Sequence, residues 1–339
     1  METLLVLAHV QDDGALSAAD LETLGAAVGL AGALGAPLTV GLMGKAVQAA
    51  ADSIATCGAQ AFLAVEGEDF ATARYATDVA AVEALARKSG ATLVLAPATS
   101  RFARALPGVA VRLDGRIETH VCALTPAEGT LKIQRWYYRQ RMQATLDRAQ
   151  RPWLLTLDRG VFAPWSGSPG TAAVEKVEVA PPACRTQVVG YETPDADAQT
   201  IRPDAKLLFV AGAGWTRKQA DGQTHVPEAE KLIRDFLDLT RASLGSSKSL
   251  VDQSSESGAV ISFLSHFNQV GQTGATPRHP KGLATCCHGE EPHTVGWRFI
   301  GERRAINLDA NCGWAIGKAD VLYVADAFQV MARVNELLK

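Results

Sequence analysis

Along the first hundred residues, short apolar runs alternate with longer segments whose apolar positions recur at helical spacing. Leu4–Val10, Leu38–Leu42, Phe62–Val65 and Thr92–Leu95 are continuous runs of strand length, the pattern of strands buried on both faces. Between the first two, Ser17 is placed to cap a helix whose apolar face carries Leu21, Leu24 and Val28, and Gly35 before Pro37 ends it. Ala46–Cys57 and Ala73–Lys88 repeat this helical pattern. Strands alternating with helices imply an α/β fold with a mostly parallel sheet covered by helices, because parallel strands need long crossover connections.

From about 114 to 157 the pattern changes. Leu131-Lys132-Ile133 and Trp136-Tyr137-Tyr138 alternate as an antiparallel edge or excursion does. Arg139, Arg141, Arg148 and Arg151 make this region basic, either as the solvated face of a hairpin or as a docking surface for a second subunit. Trp136, Tyr137, Tyr138 and Trp153 read as hairpin and core packing, with a subunit interface as the alternative. Residues 164–182 are rich in Pro, Gly, Ser and Ala, and 193–203 are polar and bounded by prolines, which puts a domain boundary near 200.

Beyond the boundary, Leu207–Val210 reads as a strand running into Gly212-Ala213-Gly214. Pro227 to Ser243 reads as a helix with Leu232, Ile233, Phe236 and Leu239 on one face. Further strands are expected at Gly282–Cys286, Ala305–Leu308 and Val321–Val324, and a terminal helix carries Phe328, Met331, Val334 and Leu338. Ligands of such sheets sit at the carboxyl ends of the strands, where Gly212, Cys287, His288, Asn307 and Asp326 fall.

Composition narrows the function classes. A chain of 339 residues that is 47% hydrophobic can bury the cores of roughly two domains. A net charge of −3 with scattered basic residues gives no electrostatic case for nucleic acid. No apolar run reaches membrane-spanning length, and the opening Met1-Glu2-Thr3 is too acidic, and the run after it too short, for a signal peptide. Six cysteines spread over this length, unlike the dense framework of a small secreted domain, fit a reducing, cytoplasmic setting.

Candidate chemistry concentrates in the second half. Gln269-Val270-Gly271-Gln272-Thr273-Gly274 sets an amide and a hydroxyl between two glycines, so backbone donors and short polar groups can press against a flat or phosphorylated ligand; the same run is also an ordinary surface turn. Cys287-His288-Gly289-Glu290-Glu291-Pro292-His293 and Ile306-Asn307-Leu308-Asp309 follow it. Cys286, Cys287, His288, His293, His279 and Cys312 are metal-capable types, but adjacent cysteines suit a tetrahedral site poorly, and nothing nearby completes a Cys-His nucleophile.

Taken together, Ser247-Lys248 with Val251-Asp252, Gln269 to Gly274, Gly289 and His293, Ile306-Asn307 with Asp309, and Ala319-Asp320 resemble, in order and spacing, the α subunit of the electron transfer flavoproteins. The first half is similar too, through Leu95-Ala96-Pro97-Ala98-Thr99, the stretch 107–121 and the stretch 152–162. The resemblance implies an N-terminal nucleotide-hydrolase-like α/β domain over 1–199 that contacts a β subunit. It implies a doubly wound parallel-sheet domain over 200–339 that binds FAD, with AMP in the partner.

By that resemblance, Ser247 and Lys248 hold a phosphate and face the isoalloxazine, and Val270, Gly271, Gln272 and Thr273 lie along the flavin. His293 approaches the pyrimidine carbonyl, and His288, Gly289, Glu290, Glu291 and Pro292 wrap the pyrophosphate. Asn307 and Asp320, with Val321 beside it, hold the adenosine end. A cation and an imidazole near the ring carbonyl would stabilise charge that builds up when the flavin accepts an electron. The implied role is an electron carrier rather than a substrate-turnover enzyme. It takes electrons from a flavin dehydrogenase and passes them to a membrane quinone reductase, with no membrane insertion of its own.

The sequence departs from the family pattern at several of these positions. Lys248 stands for an arginine and loses its planar fork. Gly214-Trp215 replaces an Arg-Gly pair, with Arg217 nearby as a substitute cation; His288 and Pro292 replace a serine and a glutamine; Glu290 and Glu291 add carboxylates; and 253–268 is longer. These changes keep open a structural or assembly subunit that has lost flavin chemistry. An adenine-nucleotide-binding hydrolase ranks below both, since no glycine-rich phosphate loop follows Val10.

Overall fold

The first apolar runs become strands buried on both faces, and the partition of their side chains shows why few polar positions interrupt them. In β1 (Leu4–His9), Leu4, Val6 and Ala8 join one core with Leu24, Ala27 and Leu30 of α1 (Ala18–Leu34). Leu5 and Leu7 join a second core on the other side, with Val79, Val82 and Leu85 of a helix over Tyr75–Ser89 and with Phe102. This computed structural model describes residues 2–127, 130–138, 142–190, 201–202, 205–252, 260–271, 278–286, 297 and 300–339. The chain divides into two compact units, Met1–Tyr191 and Glu192–Lys339.

In the first unit β1, β2 (Leu38–Gly44), β3 (Ala61–Glu66) and β4 (Leu93–Pro97) form the parallel centre of a nine-stranded sheet. β5 (Arg116–Ala127), β6 (Thr130–Tyr137) and β7 (Met142–Asp147) form an antiparallel arm, joined to the centre through β8 (Trp153–Leu157), which pairs in parallel with β4 and β5. The cap of α1 matches the pattern: Ser17 Oγ accepts from the Asp20 amide, Asp20 accepts from the Ser17 amide, and Gly35 closes the helix at φ 58°. The helix Ser100–Arg112 was not foreseen; Thr99 caps it, and Pro107 within it hides its periodicity.

The basic middle is tied up internally. Buried Glu118 accepts from Arg135 at 2.5 Å and Arg148 at 2.6 Å, and Arg151 pairs with Glu2. Arg139 and Arg141 lie outside the described residues. Trp153 is a core residue, whereas Tyr138 is 73% exposed at the tip of the arm. The Pro- and Gly-rich stretch after β8 is a strap over α1. The Trp165 amide donates to Leu21 O at 2.9 Å, the Gly170 amide donates to Asp52 O at 2.8 Å, and the strap ends in β9 (Val174–Lys176), parallel to β3. Gly25 permits this approach, since a Cβ there would stand 2.2 Å from the Ala163 carbonyl oxygen.

The second unit has a five-stranded, fully parallel sheet in the order β11-β10-β12-β13-β14, with β10 (Leu207–Ala211), β11 (Ser243–Ser246), β12 (His279–Thr285), β13 (Ile300–Asn307) and β14 (Val321–Val324). Phe209, Ala211 and Leu244 face the helix Val226–Thr240 and the C-terminal helix Ala327–Leu338. Leu208, Val210 and Ala284 face Val270, Trp297 and Trp314.

Two readings of this half are corrected. The helix expected to reach Ser243 ends at Thr240, because Arg241 turns left-handed at φ 56° and Ser243 opens β11; Leu239, expected on the apolar face, is 37% exposed. Strand β12 starts at His279, ahead of Gly282, with the imidazole bonded to Arg202 O at 2.8 Å. Among the described residues no helix is long and apolar enough to cross a membrane.

Candidate functional site at the sheet crevice

The chain passes from β10 outward to β11, then crosses back to β12 and continues to β14, so the connections diverge between β10 and β12. Crevices of this kind, outside the carboxyl ends of the strands, are where open parallel sheets take ligands. The last rung of the sheet is formed in register by Ser246, Ala211, Thr285, Ile306 and Tyr323.

The turn after β10 is held against this rung. The Gly212 amide donates to Thr285 O at 2.8 Å and the Gly214 amide donates to Cys286 O at 2.9 Å. Trp215 is fully buried; its indole N–H donates to Thr285 Oγ1 at 2.9 Å, and its ring packs on Phe328 with centroids 4.6 Å apart. Thr285 in turn donates to Val210 O at 3.1 Å, so a short relay of hydrogen bonds joins the two strands at which the connections diverge. Cys286 adopts φ 57°, which a non-glycine residue holds only where its surroundings enforce it.

Several sequence-predicted residues meet at this carboxyl edge. Ser247 is buried, donates its amide to Ala211 O at 2.9 Å, and accepts from the Leu250 amide at 3.4 Å, which starts the short helix Lys248–Asp252. The Lys248 ammonium lies 3.6 Å from Asp252 with both side chains exposed, so it is weakly held and can be redirected. The Val270 amide donates to Ser246 O at 3.0 Å, and Gly271 follows at φ 77°. Asn307 ends β13, 3% exposed, and accepts from the Asp309 amide at 3.0 Å. Gln272, Thr273, His288, Gly289, Glu290, Glu291, Pro292 and His293 lie outside the described residues.

Asp320 and Val321 are not brought to Asn307. Val321 pairs with Arg304 whereas Asn307 pairs with Val324, so Asp320 sits at the amino end of β14, about 13 Å down the strand. Its carboxylate accepts from Arg303 Nη2 at 2.8 Å and from the Arg303 amide at 2.7 Å, and these bonds to Arg303 hold it below the usual carboxylate range.

A shallow cleft with about 270 Å³ of space, open to solvent, lies over the ends of β12, β13 and β14, lined by Gly214, Gln219, Cys286, Asn307, Asp326 and Phe328, among others. Asp326 caps the C-terminal helix by accepting from the Phe328 amide at 2.8 Å. Gln219 and Phe328 escape sequence reasoning because neither belongs to a polar motif; only their position beside strand ends marks them. Arg217, the candidate substitute cation, is exposed at the end of the Trp215 turn. Among the described residues no three His, Cys, Asp or Glu side chains gather as a metal site; His279 and Cys286 mark opposite ends of β12.

The profile of the electron transfer flavoprotein domain matches residues 4–182. "Electron transfer flavoprotein subunit alpha" of Bradyrhizobium diazoefficiens is 27% identical over 336 residues, covering 99% of this chain and 98% of the relative. The protein of the same name from Syntrophomonas wolfei is 27% identical over 300 residues, covering 88% and 89%. "Protein FixB" of Clostridium saccharobutylicum is 28% identical over 337 residues, covering 97% and 92%.

Proposed function

The chain belongs to the electron transfer flavoprotein family, and we propose that it is the FAD-binding α-type subunit of a heterodimeric electron carrier. The observation that carries this reading is the carboxyl edge of the parallel sheet, where Ser247 and Lys248 follow β11, Val270 and Gly271 lie beside it, and Asn307 ends β13, on either side of the divergence between β10 and β12. The relatives called subunit alpha match over 88% and 99% of this chain, which takes in residues of both units.

The donor set suits a dinucleotide. Lys248 supplies a mobile cation on the β11 side for phosphate or for the electron-rich edge of a ring. On the β13 and β14 side the cleft offers the Asp326 carboxylate and the Asn307 amide, acceptors matched to hydroxyls and exocyclic amines. Asp320 and Val321 stand at the amino end of β14, away from this edge, and Asp320 is bonded to Arg303. Bound FAD supplies reversible uptake and release of electrons, and the chain supplies binding, orientation and electrostatics.

In this reading a β-type subunit carrying AMP is the partner, a flavin dehydrogenase is the donor, a membrane quinone reductase is the acceptor, and the setting is the cytoplasm. Co-purification with the β-type partner, followed by absorption spectroscopy and FAD release on denaturation, tests it. The expected result is about one FAD per heterodimer, lost or strongly weakened in Lys248→Ala; absence of flavin from the wild-type pair rejects the reading. The fully buried Trp215, an apolar ring at the crevice, favours a second reading as an assembly subunit without flavin chemistry. Flavin titration of the same sample separates the two.

A further inference from the structure

We propose that Phe267 is the anchor of a docking surface for the electron-donating flavin dehydrogenase; this rests on the flavin reading above. The ring is 82% exposed, the most exposed aromatic side chain among the described residues. It stands in the turn His266–Asn268, which closes the stretch 253–268, longer here than the family resemblance implies and absorbed by none of the roles above. On a loose loop such a ring would say little, since single surface apolar residues are common.

The mount of Phe267 is rigid. The Ser265 hydroxyl accepts from the Phe267 amide at 3.3 Å, and Asn268 Oδ1 accepts from the Ser265 amide at 3.1 Å, so each end of the turn caps the other. Asn268 is buried, and its Nδ2 donates to Leu244 O of β11 at 3.3 Å. Gln269 forms a parallel bridge to Ser246, the last residue of β11, and the Val270 amide donates to Ser246 O at 3.0 Å. The ring is thus held in water at the carboxyl end of β11 by bonds in which its own side chain takes no part. An anchor fixed beforehand lowers the ordering cost of association.

Place, size and charge decide which partner it fits. Phe267 shortly precedes Val270-Gly271, and one carboxylate, Asp252, lies 3.6 Å from Lys248 and 3.7 Å from His266, so the docking turn and the edge cation share a counter-charge. A protein seated on Phe267 therefore stands against the edge to which the flavin reading assigns the cofactor. One large ring among Lys248, Asp252, Ser265 and His266 is a small apolar centre with a polar rim. Permanent subunit contacts bury roughly 2,000 Å² or more around a broad apolar core, whereas transient redox encounters are smaller, so the ring suits a passing electron donor better than the β-type subunit. Lys248 is balanced by Asp252, and the turn carries no run of cations of the kind that anionic membranes attract, which favours the dehydrogenase over the membrane acceptor. In the docked pair the reduced flavin of the dehydrogenase is reoxidised as the FAD of the carrier takes up its electrons.

The test uses the FAD-loaded heterodimer with two reductants as probes: a flavin dehydrogenase that reduces the wild-type carrier, and dithionite, which needs no docking surface. In Phe267→Ala the KM of the dehydrogenase for the carrier is expected to rise roughly tenfold, the effect of truncating an anchor at a protein contact, with kcat, FAD content, melting temperature and the rate of reduction by dithionite unchanged. Phe267→Tyr keeps the ring and is expected to stay within about twofold of wild type. An unchanged KM in Phe267→Ala overturns the proposal and leaves the flavin reading intact. Weakened assembly with the β-type subunit on gel filtration, or a defect confined to reoxidation by the quinone reductase, overturns it too, because either result gives the ring to another partner. If the wild-type heterodimer itself takes up no FAD, the flavin reading falls and this proposal falls with it.

Discussion

Trp215 offers the sharpest test of how the crevice is built. It is fully buried, it packs on Phe328, and its N–H is one of two bonds that Thr285 Oγ1 makes between β10 and β12. Trp215→Ala removes a large buried ring and is expected to cost about 3–5 kcal/mol, as deep aromatic truncations do. For a unit of this size each kcal/mol moves the midpoint by roughly 2–4 °C, so the transition of the second unit should fall by about 10 °C. Trp215→Phe keeps a ring against Phe328 but withdraws the donor from Thr285, and about 1–2 kcal/mol is expected. Differential scanning calorimetry of the two variants reads both numbers. The Ala variant should also lose FAD uptake at temperatures where it remains folded, because Gly212 and Gly214 are placed by the same turn. An Ala variant melting within about 2 °C of wild type would show that the indole is not what secures the turn, and the argument from burial would be wrong.

Other outcomes follow from the first unit. Arg101 donates to Asp78 at 2.7 Å and to the carbonyls of Phe70 at 2.7 Å and Ala71 at 2.9 Å, and Asp78 is 1% exposed. Arg101→Leu should therefore cost about 3–5 kcal/mol in urea unfolding, while Arg101→Leu with Asp78→Leu recovers most of it; equal losses in both variants would refute the pairing. His9 beside Arg101 is pushed down to about 4 from 6.5, first by burial and then by the guanidinium. Protonation is thus favoured in the unfolded chain, and stability should decline as pH falls from about 6.5 towards 4, by less than the ~1.4 kcal/mol per pH unit of a full proton because the ring is partly solvated. His9→Gln should flatten that part of the profile, and an unchanged slope counts against it. Gly25→Ala drives a methyl against the Ala163 carbonyl, and about 1–3 kcal/mol with faster proteolysis around 160–170 is expected; an unchanged midpoint would mean the strap gives way freely.

How much of this was readable beforehand depends on where the hydrophobic signal is strong. The strands β1 to β4 are buried on both faces, so their runs are largely apolar and the α/β architecture follows from them. Ser17 and Gly35 announce the ends of α1 because capping and left-handed closure each demand particular side chains. Strand β11 has one large apolar residue, Leu244, and its serines sit at a sheet end, so nothing in its period separates it from the preceding helix. The start of β13 is equally silent: Glu302, Arg303 and Arg304 are polar, and pairing with β12 and β14 decides their conformation. Ser247-Lys248, Val270-Gly271 and Asn307 were singled out by their order in the family resemblance, and of these only Asn307 belongs to a strand that the sequence predicts. Gln219 and Phe328 were not, because only the three-dimensional order of the strands carries them to the cleft.

That order also bears on charge. Along the carboxyl edge the character changes from Lys248 beyond β11, through the apolar Trp215 at the divergence of the strands, to Asn307 and Asp326 beyond β13 and β14. A ligand that carries negative charge at one end and hydroxyls at the other can satisfy this gradient in one direction only, since reversal would set phosphate beside the Asp326 carboxylate and leave Lys248 facing neutral groups. Asp326 is not free to move away, being fixed by its bonds to the Phe328 and Gln329 amides. In the flavin reading, orientation of the dinucleotide depends on two side chains at the two outer strands of the sheet, one mobile and one pinned. Asp326→Asn is the informative change at the pinned end, because an asparagine keeps the helix cap and removes only the charge. If the gradient sets orientation, that variant should bind FAD with little loss of stability but with weaker discrimination against FMN, which lacks the adenosine end, and unchanged discrimination would place the determinant elsewhere.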